Sequence, residues 1–372
     1  MKQSFREVHL LRALNGFSIQ TLPLDLFLSS YFRAERAIGS KDRRWISDTI
    51  YTIIRWQGLI DYHTKGTLTW QNRYATFCTL PPLAELSENE ETPLAARASL
   101  PESAIAFLDP AKVLAFGRVC NEPAPTTIRV NPLKMSRDAL LEKLKDEVAA
   151  HATPTSPLGI TLDEKINFYT LDEFNKGFFE VQDEGSQLIA DLVAAKPGDQ
   201  VLDYCAGAGG KTLGFAHKLE RKGQIYLHDI RPKALHNAKL RLRRAGIENA
   251  QILLADSPAK KNLKLRMDWV LVDVPCSGSG TWRRNPDQKW KFSTAQMDNL
   301  IEEQRAIFAE ALQFVKPDGK IVYATCSVFA KENEEQMRYF QEKFGLTIAA
   351  PPFQSEPVSN GMDGFFAVLF QK

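Results

Sequence analysis

Two cysteines stand where a sulfur nucleophile could work. Cys276 lies in Asp273-Val274-Pro275-Cys276-Ser277-Gly278, and Cys326 lies further on in Tyr323-Ala324-Thr325-Cys326-Ser327. Each follows a short apolar run that reads as a strand, and open α/β sheets carry their chemistry at such strand ends. A thiolate is strongly nucleophilic and can also leave again, so the pair suits a reaction of addition followed by elimination. Upstream, Val201-Leu202-Asp203-Tyr204-Cys205-Ala206-Gly207-Ala208-Gly209-Gly210-Lys211-Thr212 reads as an apolar strand, a glycine-rich turn and the start of a helix. That is the form of a ligand-binding turn.

Gly209-Gly210-Lys211-Thr212 suggests a nucleotide triphosphatase, but a P-loop needs a glycine five positions before its Gly-Lys, and Cys205 occupies that place. The dinucleotide fingerprint fails as well, because after Gly207 and Gly209 its third glycine falls at Thr212. S-adenosylmethionine fits better. It carries no phosphates, and it needs a close backbone for its methionine part, an acid for the ribose hydroxyls and a polar group near adenine. Asp229 ends the second strand of this region and Asp256 ends the third, so each is a candidate ligand.

The elements that must hold these residues fall into three segments. Residues 1–115 read as helical, with Leu10, Leu11 and Leu14 in one helix and Ile46, Ile50, Ile53 and Ile54 at helical spacing behind Ser40, a candidate N-cap. The Glu-rich, proline-containing stretch near 85–102 reads as an exposed loop. Residues 120–183 predict a small α/β unit: a strand at Thr126–Val130, a helix capped by Ser136, and returning strands at Ile160–Leu162 and Phe178–Val181. From 184 to 372 strands alternate with helices. Strands are expected at Gln200–Tyr204, Gln224–Asp229, Ala250–Ala255, Trp269–Asp273, Lys320–Thr325 and Gly364–Phe370, giving an α/β, Rossmann-like, doubly wound sheet. A helix with an apolar stripe from Met297 to Val315, stopped by Pro317-Asp318-Gly319, precedes the Cys326 strand.

Here the chain resembles a known family. Asp203 to Thr212, Asp273 to Gly280, Arg283-Arg284-Asn285-Pro286-Asp287 and Ala324-Thr325-Cys326-Ser327 are similar to the motifs of the Sun (RsmB-like) RNA cytosine-C5 methyltransferases, and Gln182-Asp183-Glu184-Gly185-Ser186-Gln187 resembles that family's entry motif. The resemblance covers roughly residues 120–372. Where the first motif often reads Ala-Pro, this chain has Gly207-Ala208, which alters turn stiffness and leaves the backbone donors. The resemblance implies the S-adenosylmethionine-dependent methyltransferase fold, with an RRM-like small unit before it. It also implies that Cys205, Ala206, Gly207, Ala208, Gly209, Gly210 and Lys211, together with Asp229, Asp256 and Asp273, contact the cofactor. Cys326 would attack the base, and Cys276 would help to release the product. Leu24-Asp25-Leu26-Phe27 and Gly39 to Arg44 resemble, over a shorter stretch, the NusB-like RNA-binding domain that precedes the small-subunit rRNA member of this family.

The chemistry asks for these residue types. Carbon 5 of cytosine is too weak a nucleophile to be methylated directly, so a thiolate first adds at carbon 6 and makes the ring an enamine. A group that hydrogen-bonds or protonates the N3 and amino edge lowers the barrier, and Asp273 is the candidate. Cys276 then assists loss of the proton and of the enzyme thiol. A DNA cytosine methyltransferase also carries a Pro-Cys pair, but there that cysteine attacks and a second strand-end thiol has no task. Amino-group methyltransferases use Asn/Asp-Pro-Pro-aromatic, which Asp273-Val274-Pro275-Cys276 does not match. A tRNA or other rRNA cytosine as target, and a non-enzymatic RNA-binding assembly factor, stay open.

The expected substrate is RNA, most naturally 16S ribosomal RNA, with no DNA and no membrane. Net charge is only +2, but basic residues gather at Arg33, Arg36, Lys41, Arg43, Arg44 and Arg55 and again from Arg231 to Arg244. Trp282, Arg283, Arg284 and Trp290 interleave aromatic and charged side chains, which could serve a base drawn out of its stack. Five scattered cysteines without CxxC spacing argue against disulfides and zinc, and the histidines show no metal-ligand pairing, so no metal is expected. No run of about 18 apolar residues exists and the first residues are charged, so the expectation is a cytoplasmic chain; the oligomeric state stays open, with a monomer favoured.

Overall fold

Apolar runs too short for helices supply two sheets. A computed structural model describes residues 4–18, 21–164 and 166–372; the first three residues of the charged N-terminal stretch lie outside it. In chain order the strands are β1 (Thr126–Val130), β2 (Ala150–Ala152), β3 (Gly159–Leu162), β4 (Phe179–Val181), β5 (Gln200–Asp203), β6 (Gln224–His228), β7 (Ala250–Leu253), β8 (Met267–Asp273), β9 (Val315–Thr325), β10 (Thr347–Ile348), β11 (Phe353–Ser355) and β12 (Phe365–Gln371).

The chain divides into two compact units, Pro125–Cys276 with Asn299–Lys372, and Met1–Ala124 with Ser277–Asp298. The first of these holds both sheets. Its large sheet has the order β10-β12-β9-β8-β5-β6-β7, with β11 on β12. Strands β9, β8, β5, β6 and β7 run parallel, and β12 runs antiparallel beside β9. Val270, Leu271 and Val272 in succession are fully buried, as strands covered on both faces require. Ile189, Phe215, Leu227 and Leu242 pack on one face, and Phe308, Phe314, Phe340 and Phe370 on the other. The chain winds outward from β5 to β7, then returns to lay β8 and β9 on the opposite side of β5. The β5/β8 boundary is therefore the topological switch point, where such sheets bind ligands.

The small sheet is antiparallel, in the order β2-β3-β1-β4. Ser136 caps its helix, Arg137–Leu144, by accepting from the Ala139 amide (3.3 Å). Ile128, Val130, Leu140, Ile160 and Phe179 form its core.

The other unit is helical, and it corrects several expectations. Leu10, Leu14, Ile46, Ile50, Ile53 and Ile54 are its core, and Ser40 is the first helical residue behind an N-cap at Gly39. The 85–102 stretch is not a loose loop. Its glutamates are exposed, but short helices Leu83–Leu86 and Leu94–Ala98 fold it back. The buried Ser99 hydroxyl accepts from the Gly58 amide (2.9 Å). Segment 277–298, which follows Cys276, belongs to this unit as well. Trp282 and Arg283 are buried there (0% and 1% exposed), so they offer no π-face or charge to RNA. Trp290 donates to the Ile54 carbonyl (2.7 Å). Arg55, expected in the basic cluster, is buried and donates to the Arg283 carbonyl (3.0 Å). Lys289 is fully buried, donating to the Arg55 carbonyl (2.6 Å) and Asn121 Oδ1 (2.7 Å). Burial pushes its pKa down to about 7.

The apolar stripe before β9 also ends sooner than its periodicity implies. The helix closes at Leu312, and Val315 opens β9. Pro317-Asp318-Gly319 sits within that strand, with Asp318 at φ +61°.

Candidate active site

The glycine turn lies at the switch point. Its two positive-φ residues, Gly207 (+53°) and Gly209 (+76°), take a conformation that favours glycine. At Gly209 a Cβ would meet the Ala238 Cβ at 3.2 Å. The turn is held from several sides. Ala206 N donates to the His228 carbonyl (2.9 Å), and Arg241 Nη1 donates to the Ala208 carbonyl (2.8 Å). The buried Arg129 of β1 donates to the Gly210 carbonyl (3.0 Å) and bonds Gln182 of the entry motif. Arg129 went unread in the sequence because one arginine in a short strand gives no signal. Burial pushes its pKa down to about 10.

Three carboxylates face the turn. Asp203 Oδ2 accepts from Thr212 Oγ1 (2.6 Å), while its Oδ1 is buried with no partner among the described residues. Burial pushes the Asp203 carboxyl up to about 7 against the Thr212 hydrogen bond. Asp229 accepts from the amides of Gly207 and Arg231 (both 2.8 Å) and from Arg231 Nε and Nη2 (both 2.9 Å). Burial works against its charge, but the Arg231 and Gly207 hydrogen bonds outweigh it and hold the pKa below the ordinary value. Asp273 Oδ2 accepts from Lys211 Nζ (2.5 Å). Burial also opposes the Lys211 charge, yet Asp273, with smaller contributions from Cys326 and Asp203, holds its pKa above the ordinary lysine value.

Asp256 does not end its strand. It is exposed in a turn three residues beyond the end of β7. The following segment is tied down by Lys260, which donates to Tyr204 Oη (3.1 Å) and Glu310 Oε1 (2.7 Å).

Strands β8 and β9 pair in parallel with Asp273 opposite Ala324, and that register brings the two thiols together. Cys276 Sγ and Cys326 Sγ are 3.3 Å apart, and the Cys326 amide donates to Cys276 Sγ at 3.3 Å. Neither is in a disulfide. At Cys205 burial, reinforced by Asp273, Asp203 and Asp229, pushes the thiol pKa far above the ordinary value, which disfavours its thiolate. Asn333 frames Cys326, accepting from Thr325 Oγ1 (2.7 Å) and donating to the Ser327 carbonyl (2.9 Å).

Of the basic helix expected at Arg231–Arg244, Arg241 and Arg244 are engaged by the buried Glu180, while Lys233, Lys239 and Arg243 stay exposed. Among the described residues no group of three or more potential metal ligands occurs, and no helix is long and apolar enough to cross a membrane.

Residues 190–370 match the family model described as 16S rRNA methyltransferase RsmB/F, and residues 110–169 match the RsmF/B-like ferredoxin-like domain. The chain belongs to the RsmB/F methyltransferase family. That family is S-adenosylmethionine-dependent. Similar curated proteins include a probable ribosomal RNA small subunit methyltransferase B of Synechocystis, 32% identical over 274 residues, covering 68% of this chain and 61% of that protein. The ribosomal RNA small subunit methyltransferase B of Vibrio cholerae is 34% identical over 265 residues, covering 68% and 60%. The chain thus spans about three-fifths of the length of these relatives. Among solved structures, PH0851 matches with TM-score 0.82 at 22% identity over all of both chains. NSun6 from Pyrococcus horikoshii with SFG matches with TM-score 0.63 at 20% identity, covering 78% of this chain and 97% of that one. These likenesses show the fold, the doubly wound methyltransferase sheet expected from the sequence.

Proposed function

We propose that the chain methylates carbon 5 of a cytosine in RNA, most naturally 16S ribosomal RNA, through a covalent adduct with Cys326. The observation that carries this reading is the pair of thiols 3.3 Å apart at the ends of β8 and β9, beside the Lys211–Asp273 ion pair. The matched relatives' names supply the rRNA substrate.

Bound S-adenosylmethionine would supply an electrophilic methyl group. The residues present fit it: a buried oxygen on Asp203 with no partner among the described residues, glycine backbone without side chains, and the Asp229 carboxylate at the rim of the turn. In this reading residues 205–211, Asp229 and Asp256 hold the cofactor. Asp273 keeps one oxygen on Lys211 and presents the other to the N3 and amino edge of the base. The Cys326 thiolate forms a bond to C6, with the Lys211 charge nearby favouring the anionic sulfur. After C5 carries its methyl group, Cys276 assists removal of the C5 proton, the electrons re-form the C5–C6 double bond, and the Cys326–C6 bond breaks. The helical unit delivers RNA through Arg33, Arg36, Lys41 and Arg44, which are exposed.

Incubation of the chain with S-adenosylmethionine and small-subunit rRNA, followed by digestion to nucleosides and mass spectrometry, should yield 5-methylcytidine. A methyl group on another atom or base would refute the C5 assignment. Transfer RNA as the better substrate would redirect the address and leave the chemistry intact.

The ribose role of Asp229 has its own test. Arg231 now occupies part of that carboxylate, but its side chain is 68% exposed and free to turn into solvent as hydroxyls arrive. Hydrogen bonds to a charged group contribute about 1.5–3 kcal/mol, so Asp229→Ala should weaken cofactor binding roughly ten- to a hundredfold. Arg231→Ala should leave it unchanged or tighter. Wild-type affinity for Asp229→Ala in calorimetry would remove Asp229 from the ribose site.

A further inference from the structure

One buried polar side chain bonds both the backbone just before Cys276 and a side chain of the strand that precedes Cys326. Gln304, in the helix Thr294–Leu312, is 0% exposed. Its Nε2 donates to the Pro275 carbonyl (3.0 Å), one residue before Cys276, and to Glu332 Oε1 (2.9 Å). Its Oε1 accepts from the hydroxyl of Tyr323 (3.0 Å), three residues before Cys326, and that hydroxyl also reaches the Glu332 carbonyl (2.7 Å). Tyr323 and Glu332 are themselves fully buried. The amide orientation is fixed by its surroundings: two acceptors face the NH₂ group and one hydroxyl faces the oxygen.

The sheet alone does not set the distance between the thiols. The last ladder hydrogen bond between the two strand ends is Val274 N to the Ala324 carbonyl (3.1 Å). Beyond it the chain before Cys276 passes out of the sheet, and there Gln304 grips the Pro275 carbonyl. A buried amide so placed is also costly to leave half-satisfied, so the network holds one arrangement.

We propose that Gln304 is a positioning residue for the reaction: it couples the Cys276 segment to the Cys326 strand and fixes the release thiol against the adduct. This rests on the reading of Cys326 as nucleophile and Cys276 as release residue. Misplacing a reacting group by about 1 Å can cost on the order of a hundredfold in rate.

Two variants test it. Gln304→Leu keeps the volume and removes every hydrogen bond. The double variant Gln304→Glu with Glu332→Gln keeps the carboxylate–amide pair and the acceptor for Tyr323, but a carboxylate cannot donate to the Pro275 carbonyl. The double variant should stay folded and bind S-adenosylmethionine like the wild type, melting somewhat lower because the Pro275 carbonyl loses its donor. Its turnover should fall roughly ten- to a hundredfold with KM for RNA nearly unchanged, and covalent enzyme–RNA complex should accumulate on unmodified RNA toward the level of Cys276→Ala. A folded double variant with wild-type turnover and no accumulated adduct overturns the proposal. So does slowed turnover without adduct when Cys276→Ala itself accumulates one. If Cys276→Ala accumulates no adduct, the release role is what has failed. Gln304 is then decided by single-turnover methyl transfer: a tenfold or greater loss in the folded double variant supports positioning, and a smaller loss overturns it.

Discussion

Cys326→Ala should abolish methyl transfer, by about 10³-fold or more, and should form no covalent complex with RNA carrying 5-fluorocytosine. Without a thiolate at C6 the ring never becomes an enamine, so neither methylation nor trapping can begin. Cys276→Ala should behave in the opposite way on unmodified RNA. Addition at C6 still proceeds, but the step that removes the C5 proton and frees Cys326 stalls, and enzyme and RNA migrate together on a denaturing gel. The two thiols are near enough for this division of labour, 3.3 Å between sulfurs. Lys211 is paired with Asp273, and Cys326 is among the groups that hold its pKa above the ordinary lysine value. Exchange of the two phenotypes would reverse the assignment of roles.

How much of this site was legible beforehand depended on the range of each interaction. Cys276 and Cys326 could be placed because each ends a short apolar run, and a parallel sheet of alternating strands and helices brings such ends to one edge. Asp229 was legible for the same reason. Its clamp by Arg231 was not, because arginine two residues past a strand end reads as the start of a basic helix. The Lys211–Asp273 pair joins residues 62 apart in sequence, and Gln304 meets Pro275 across 29; no periodicity encodes either. The misreadings have definite causes. Phe314-Val315 continues the apolar pattern of the preceding helix without a break, so the change from helix to strand at that point leaves no trace in spacing. Trp282 and Arg283 have the composition of an RNA-binding surface, but composition does not say which way a side chain faces. Both turn inward, where Arg55 bonds the Arg283 carbonyl and Phe116 packs against Trp282.

Removing residues 1 to about 115 should harm segment 277–298. Such a truncation takes away the Arg55 carbonyl that receives Lys289, the Ile54 carbonyl that receives Trp290, and Ser103, which donates to the Phe292 carbonyl (3.1 Å). It also strips apolar cover: Phe107 packs edge-on against Phe292 (5.7 Å between centroids), and Trp290 packs on the helical core. Uncovering a large aromatic side chain costs about 1.5–3 kcal/mol, and several are uncovered at once, so segment 277–298 should lose its fold. It begins at the residue after Cys276. The truncated chain is therefore expected to be cleaved by protease within 277–298, where the full chain resists, and to lose methyl transfer by at least about a hundredfold. Cofactor binding should survive better, because the glycine turn, Asp229 and Asp203 belong to the other unit. A truncated chain that resists protease in this segment and retains full activity would show that residues 1–115 only deliver RNA, and the loss would then appear as a weaker, less salt-dependent rRNA affinity alone.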